Sequence, residues 1–95
     1  MPVHVLVRAR ALPGQGETLH ALLREHAATS RSEPGCLAYT ALRANDDPSI
    51  VATVELWADQ TAFAAHMQSA HTKINLPRLL ALLDGAPDMR VFEPL

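Results

Sequence analysis

The hydrophobic period of this chain switches between two and about 3.6 residues several times, and that alternation limits what it can fold into. From Val3 to Leu12, the residues Val3, Val5, Val7 and Ala9 alternate with His4, Leu6, Arg8 and Arg10, as in a strand with unlike faces. Pro13 and Gly14 end that run. From Gln15 to Ser32 the spacing turns helical, with Leu19, Leu22, Leu23, His26, Ala27 and Ser30 on one stripe. Glu17 and Arg31 sit at the helix ends that suit their charges, and Ser32-Glu33-Pro34-Gly35 closes the helix.

Cys36 to Ala44 reads as a second strand, Asn45 to Ser49 as a hairpin loop, and Ile50 to Trp57 as a third strand. Asp59 predicts the N-cap of a helix through Ala70 whose inner stripe is Ala62, Phe63, His66, Met67 and Ala70. A shorter helix is expected from Pro77 to Leu83, with Pro77 in its first turn and Gly85 as its stop, and a last strand from Met89 to Glu93. The order is that of a ferredoxin-like β-α-β-β-α-β domain of the α+β class, a four-stranded antiparallel sheet with helices on one face.

At 95 residues the chain has room for one domain, spanning 1–95. So small a domain buries only about 60–65% of the surface its unfolded chain exposes, yet 48% of its residues are hydrophobic. Pairing of two copies is the simplest way to bury the excess. The aliphatic faces (Val3/Val5/Val7 and Ile50/Ala52/Val54/Leu56) are expected beneath the helices. The mixed faces (His4/Leu6/Arg8, Leu37/Tyr39/Arg43 and Val51/Thr53/Glu55/Trp57) are expected to pack on the sheet of a second copy, making a homodimer.

Eight Lys and Arg scattered through a chain of net charge −2 do not make a nucleic-acid surface. The single cysteine, Cys36, excludes an internal disulfide or a multi-cysteine metal site and reads as a small buried residue. No apolar run is long enough to span a bilayer and no leader pattern is seen, so a cytoplasmic protein without membrane attachment is expected.

Glu33-Pro34-Gly35-Cys36-Leu37-Ala38-Tyr39, followed by Arg43, Asp47 and Pro48, resembles the second strand of antibiotic biosynthesis monooxygenase (ABM) domains. Glu55-Leu56-Trp57, then Ala62-Phe63 and His66-Met67 with His71, is similar to the E-x-W strand end and H-x-x-x-x-H helix of that family. The resemblance runs from Val3 through the last strand. It implies a dimeric α+β barrel, two sheets face to face with helices outside. It also implies an activity found in characterised members, oxygenation of phenols, quinols or anthrones without metal, flavin or haem. Oxygenases of the family that act on polyketides or open haem carry an Asn on the first strand; Val3 to Arg10 has none, which weighs against haem degradation and against a faithful copy of the polyketide site.

Such chemistry needs a base, a donor to hold an oxyanion, and a dry aromatic-lined pocket. His66 is the candidate base or donor, on the inner side of its helix; histidine is the side chain most often used for proton transfer near neutral pH. Trp57 and Tyr39 are candidate pocket walls, with dimer-core packing as the leading reading, more clearly for Tyr39 than for Trp57. Glu55 is a candidate orienting charge, with a structural ion pair to Arg8 or Arg43 as the competing reading. Phe63, Met67, His71 and Arg43 complete the expected substrate contacts. His71, five residues beyond His66 and so about 140° round an ideal helix, also reads as a helix-end cap.

No metal site is expected. The His66/His71 spacing is not i, i+4, and no third ligand stands at a telling distance. His26 and His4 read as structural. The leading expectation is therefore a cofactor-independent monooxygenase using molecular oxygen on a small aromatic substrate. The rivals are a non-redox isomerase or detoxifying enzyme for a small carbonyl compound, and a stress protein that binds a small ligand without turnover.

Overall fold

The computed structural model of the chain describes all 95 residues. Strand β1 (Val3–Arg10) leads into helix α1 (Gly16–Arg31), and β2 (Cys36–Arg43) and β3 (Ile50–Trp57) follow as a hairpin. Helices α2 (Gln60–Gln68) and α3 (Ala70–Ala81) then cross to β4 (Asp88–Phe92). The sheet is antiparallel throughout, in the order β2-β3-β1-β4, and the helices cover one of its faces, which is the ferredoxin-like arrangement.

Helix α1 buries Leu19, Leu22, Leu23, His26, Ala27 and Ser30, the stripe its sequence spacing predicts. Asp59 caps α2 by accepting a hydrogen bond from the Ala62 amide at 2.8 Å. The expectation fails at the far end of α2. Ser69 is extended (ψ 151°), so α2 ends at Gln68 and α3 starts at Ala70, with the Ser69 hydroxyl facing the Thr72 amide as a new cap. Pro77 consequently lies inside α3 and does not start it, and Ala70 is exposed.

The expected sheet faces are also corrected. Residues directly opposite in an antiparallel pair share a face, and β1 on β3 sets Val3 against Trp57, Val5 against Glu55 and Val7 against Thr53. The row Val51/Thr53/Glu55/Trp57 therefore lies beneath the helices with Val3, Val5 and Val7, while Ile50, Ala52, Val54 and Leu56 share the uncovered face with Leu6 and Arg8. Tyr39 opposes Glu55 and is buried beneath the helices as well. An irregularity between Cys36 and Ala38 breaks the strand's alternation and turns Leu37 outward, so Leu37 and Tyr39 do not share a face. Cys36 is half-buried.

Gly35, which joins α1 to β2, has φ +82°, and a Cβ there would meet the Ala62 Cβ at 2.5 Å. Gly35→Ala should lower stability by about 2–4 kcal/mol, read as a fall in the urea midpoint. In an Ala62→Gly background the contact is gone, and the cost of Gly35→Ala should shrink to about 1 kcal/mol for the backbone conformation alone. Equal costs in both backgrounds would show that the close approach carries no strain.

Candidate functional site

The inward row of β3 ends in a hydrogen-bonded triad of side chains. The Trp57 indole N–H donates to Glu55 Oε1 at 3.1 Å, and the Thr53 hydroxyl donates to Glu55 Oε2 at 2.9 Å. Trp57 is fully buried, and Glu55 is 4% exposed. Burial pushes the Glu55 carboxyl above its ordinary value, and the Trp57 and Thr53 donors act against that shift. No arginine pairs with it. Arg8 projects from the opposite face of the sheet, and Arg43, opposite Val51, is four residues down the strand from Tyr39, roughly 13 Å away. Neutral donors therefore satisfy a carboxylate for which an ion pair was expected. Beside it, burial and the Glu55 charge push the Tyr39 phenol well above the ordinary tyrosine range, so Tyr39 keeps its proton.

His66 hangs from α2 over this row, with its ring 4.5 Å from that of Trp57 and 5.8 Å from that of Tyr39. Its Nδ1 lies 2.6 Å from Glu33 Oε2. A carboxylate only accepts, so Nδ1 carries the proton and Nε2 keeps a lone pair in the neutral ring. Glu33 comes from the turn between α1 and β2, which Gly35 allows to fold back towards α2. The break at Ser69 re-aims the chain so that His71, in the first turn of α3, also faces Glu33, with Nδ1 3.7 Å from Oε1. An uninterrupted helix would have carried His71 round to another face; it joins the cluster and is not a remote cap.

His26 of α1 completes the group, with its ring 5.0 Å from His71 and 5.6 Å from His66. The Asn75 amide reaches His26 Nδ1 at 3.0 Å while Arg78 donates to Asn75 Oδ1 at 3.4 Å. That orients the amide as donor, so His26 is neutral with its proton on Nε2. Phe63 and Met67 pack with Trp57 in the apolar core around the cluster. Arg43 is exposed on the rim of a separate groove with His20 and Arg24 and is not brought to His66.

None of the main pockets is walled by His66, and no fully buried side-chain nitrogen or oxygen lacks a hydrogen-bond partner. The cavity lies beneath α3 instead. It is about 90 Å³, walled by Val7, Leu19, Leu23, Val51, Leu76 and Leu79 among others, and Thr53 is its one polar lining residue. Thr53 is also the residue that donates to Glu55, so it connects the cavity wall to the polar cluster.

Glu33, His26 and Asn75 are cluster members that sequence reasoning missed. Glu33 sits among helix-stop residues, and nothing in periodicity separates a turn glutamate that folds inward from one that faces water. Burial first, and then the nearby His66 and His71 charges, lowers the His26 pKa from 6.5 to about 4, against the opposing pull of Glu33. Between those two values the unfolded chain binds a proton that the folded chain refuses. Stability from this ring is complete above pH 6.5 and is lost as pH falls towards 4. The total is on the order of 3 kcal/mol. Urea titrations from neutral pH down to about pH 4 should show that fall. His26→Gln should flatten the profile, and an unchanged slope would assign the loss to other groups.

Structural neighbours share the whole architecture. Rv0793 from Mycobacterium tuberculosis is 26% identical and superposes with a TM-score of 0.93 over 100% of this chain and 96% of that one. PA3566 from Pseudomonas aeruginosa is 29% identical, with a TM-score of 0.90 over 99% of this chain and 94% of that one. A variant of SnoaB, a cofactor-independent oxygenase from Streptomyces nogalater, is 20% identical, with a TM-score of 0.86 over 98% and 92% of the two chains, a likeness of fold. No curated protein matches the sequence. The family model for antibiotic biosynthesis monooxygenase matches residues 2–73, from β1 through α2 into the first turn of α3. The chain belongs to the antibiotic biosynthesis monooxygenase family.

Proposed function

We propose that this protein is a cytoplasmic, cofactor-independent monooxygenase for a small phenolic or quinol-type substrate, with His66 as its base. The observation that carries this reading is the 2.6 Å contact between His66 Nδ1 and Glu33, which leaves Nε2 as the acceptor and puts a negative charge behind the imidazolium that forms. A phenol that loses its proton to Nε2 becomes an electron-rich anion able to reduce oxygen by one electron. Trp57, tilted 31° to the His66 ring, and Tyr39 beside it would flank the reacting group, and the Thr53–Glu55 hydrogen bond would orient its polar edge. Family membership supports a monooxygenase-type reaction, and the SnoaB fold is a precedent for running one without a cofactor.

The almost wholly apolar lining of the cavity under α3 favours one rival, a protein that holds an apolar ligand without turning it over. Oxygen consumption with a panel of quinols and phenols separates the two. The wild type should consume oxygen, and His66→Ala should lose roughly 100-fold or more of the rate. Glu33→Gln, which keeps an acceptor but removes the charge, should lose roughly tenfold. Uptake by His66→Ala equal to that of wild type would remove His66 from the chemistry.

The same reading includes a homodimer, now argued from the uncovered sheet face. Leu6, Leu42, Val54 and Phe92 lie there 46%, 48%, 43% and 46% exposed, on adjoining strands. A flat apolar face of this kind is self-complementary about a two-fold axis, so a second copy covers it without any other partner. Sedimentation should give a dimer at micromolar concentration and a folded monomer for Val54→Asp. A wild-type monomer would overturn the pairing.

A further inference from the structure

Glu33 is a carboxylate 15% exposed whose ionisable partners within 4 Å are the imidazoles of His66 and His71. The nearby Arg31 is committed elsewhere, donating to the Tyr39 carbonyl at 2.8 Å. Protons around His71 can be assigned from the hydroxyls it meets. Ser30 Oγ donates to the His26 carbonyl at 2.7 Å, so towards His71 Nε2, at 3.2 Å, it can only accept. That puts the His71 proton on Nε2 and leaves a lone pair on Nδ1. Ser69 has one hydroxyl proton, and its nearest acceptor is the His66 carbonyl at 2.7 Å rather than His71 Nδ1 at 3.2 Å. In the neutral ring, a nitrogen lone pair and a carboxylate oxygen thus face each other across 3.7 Å with no hydrogen between them. Either a proton on Nδ1 or a metal ion fills that gap.

We infer that Glu33, His66 and His71 form a binding site for a divalent first-row transition ion of the zinc type. Their donor atoms all lie within 4.8 Å of one another. Ligands of one zinc ion, each at about 2.0–2.1 Å, stand about 3.0–3.4 Å apart. His66 Nδ1 meets Glu33 Oε2 at 2.6 Å and His71 Nδ1 meets Oε1 at 3.7 Å, so the carboxylate has to turn to offer the ion one oxygen, and donor atoms up to 4.8 Å apart have to close to that spacing. Rotation of the three side chains supplies the movement. Two imidazoles and one carboxylate suit zinc, cobalt or nickel rather than magnesium or calcium, and three protein ligands leave a position open. Ser30 already holds the second nitrogen of His71, which is how ligating histidines are ordinarily oriented.

An ion on His66 Nδ1 forces the remaining ring proton onto Nε2, where the proposed base needs its lone pair. Metal and base roles of His66 therefore exclude each other; this consequence rests on the oxygenase reading, whereas the binding does not.

The test contains no substrate. Chelator-treated full-length protein is titrated calorimetrically with Zn²⁺, and in parallel with Co²⁺ followed by its visible absorption. The expected result is one ion per chain with a dissociation constant on the order of a micromolar, and cobalt bands of four- or five-coordinate intensity. His71→Gln, at a position 21% exposed, and Glu33→Gln should each weaken binding by roughly tenfold or more while their circular dichroism matches wild type. Absence of binding, or wild-type affinity in both folded variants, would overturn the site. If Glu33→Gln fails to fold, His71→Gln alone decides. Failure to find oxygen uptake would sink the proposed function and leave the binding result untouched.

Discussion

The antiparallel register of β1 on β3 sets Val5 opposite Glu55, and most of the interior follows from that pairing. It sends Thr53, Glu55 and Trp57 to the side the helices cover, where Glu55 is 4% exposed with no cation beside it. A bare carboxylate in that position would cost several kcal/mol. The indole N–H of Trp57 and the hydroxyl of Thr53 offset that cost, and both are available only because a period of two puts residues 53, 55 and 57 on one face. The largest buried side chain in the protein is thus also the hydrogen-bond donor that makes its neighbour tolerable.

A second carboxylate, Glu33, enters from the other side of the same layer and is met by histidines from two helices. An apolar filling of equal volume would hold such a layer together at less cost, since buried ionic groups seldom add net stability over well-packed hydrophobic ones. Two carboxylates, three histidines and a tyrosine packed around one tryptophan in a 95-residue chain are therefore better explained by chemistry than by stability. The thin core is consistent with that division. Trp57, Phe63, Val3, Val5, Ala27 and Tyr39 supply one apolar cluster, and Leu19, Leu23, Ala11 and Val51 a second beneath α3.

The elements were legible in the sequence wherever one face is buried against another layer. The α1 stripe and the β3 limits are of this kind, because burial on a single side writes its period into the residues. Which side of a strand faces inward was not legible. On β3 the aliphatic row Ile50/Ala52/Val54/Leu56 looks more like core than the row that carries Thr53 and Glu55, and only the pairing partners decide between them. The irregularity at Cys36–Ala38 misleads in the same way on β2, and the Ser69 break does so between α2 and α3, since alternation is read as continuous through both. His66, Trp57, Glu55, Tyr39 and His71 were nonetheless all named as site candidates, because residue chemistry marks them whatever the phase. Glu33 was not, because its role comes from a long-range fold of the turn at Gly35.

The cavity under α3 bears on what the proposed chemistry can admit. At about 90 Å³ it is smaller than a dry cavity of roughly 150 Å³ that holds benzene. A phenolic ring is accommodated more easily if a wall moves. The β strands are locked by their ladders, and α1 is anchored along six buried positions, so the wall with the least to lose is α3. Its own buried residues are Thr72 and Asn75, both in its first half, while Leu76 and Leu80 on the cavity side are 41% and 46% exposed. It joins α2 through the extended Ser69 and is followed by Gly85 at φ +85°. Displacing its second half would widen the cavity on the side of Thr53, which donates to Glu55 in the row beneath His66. On the proposed function, substrate size would be set by how readily the Leu76–Leu83 stretch lifts, and the placement of His66 against Glu33 by the turn at Gly35.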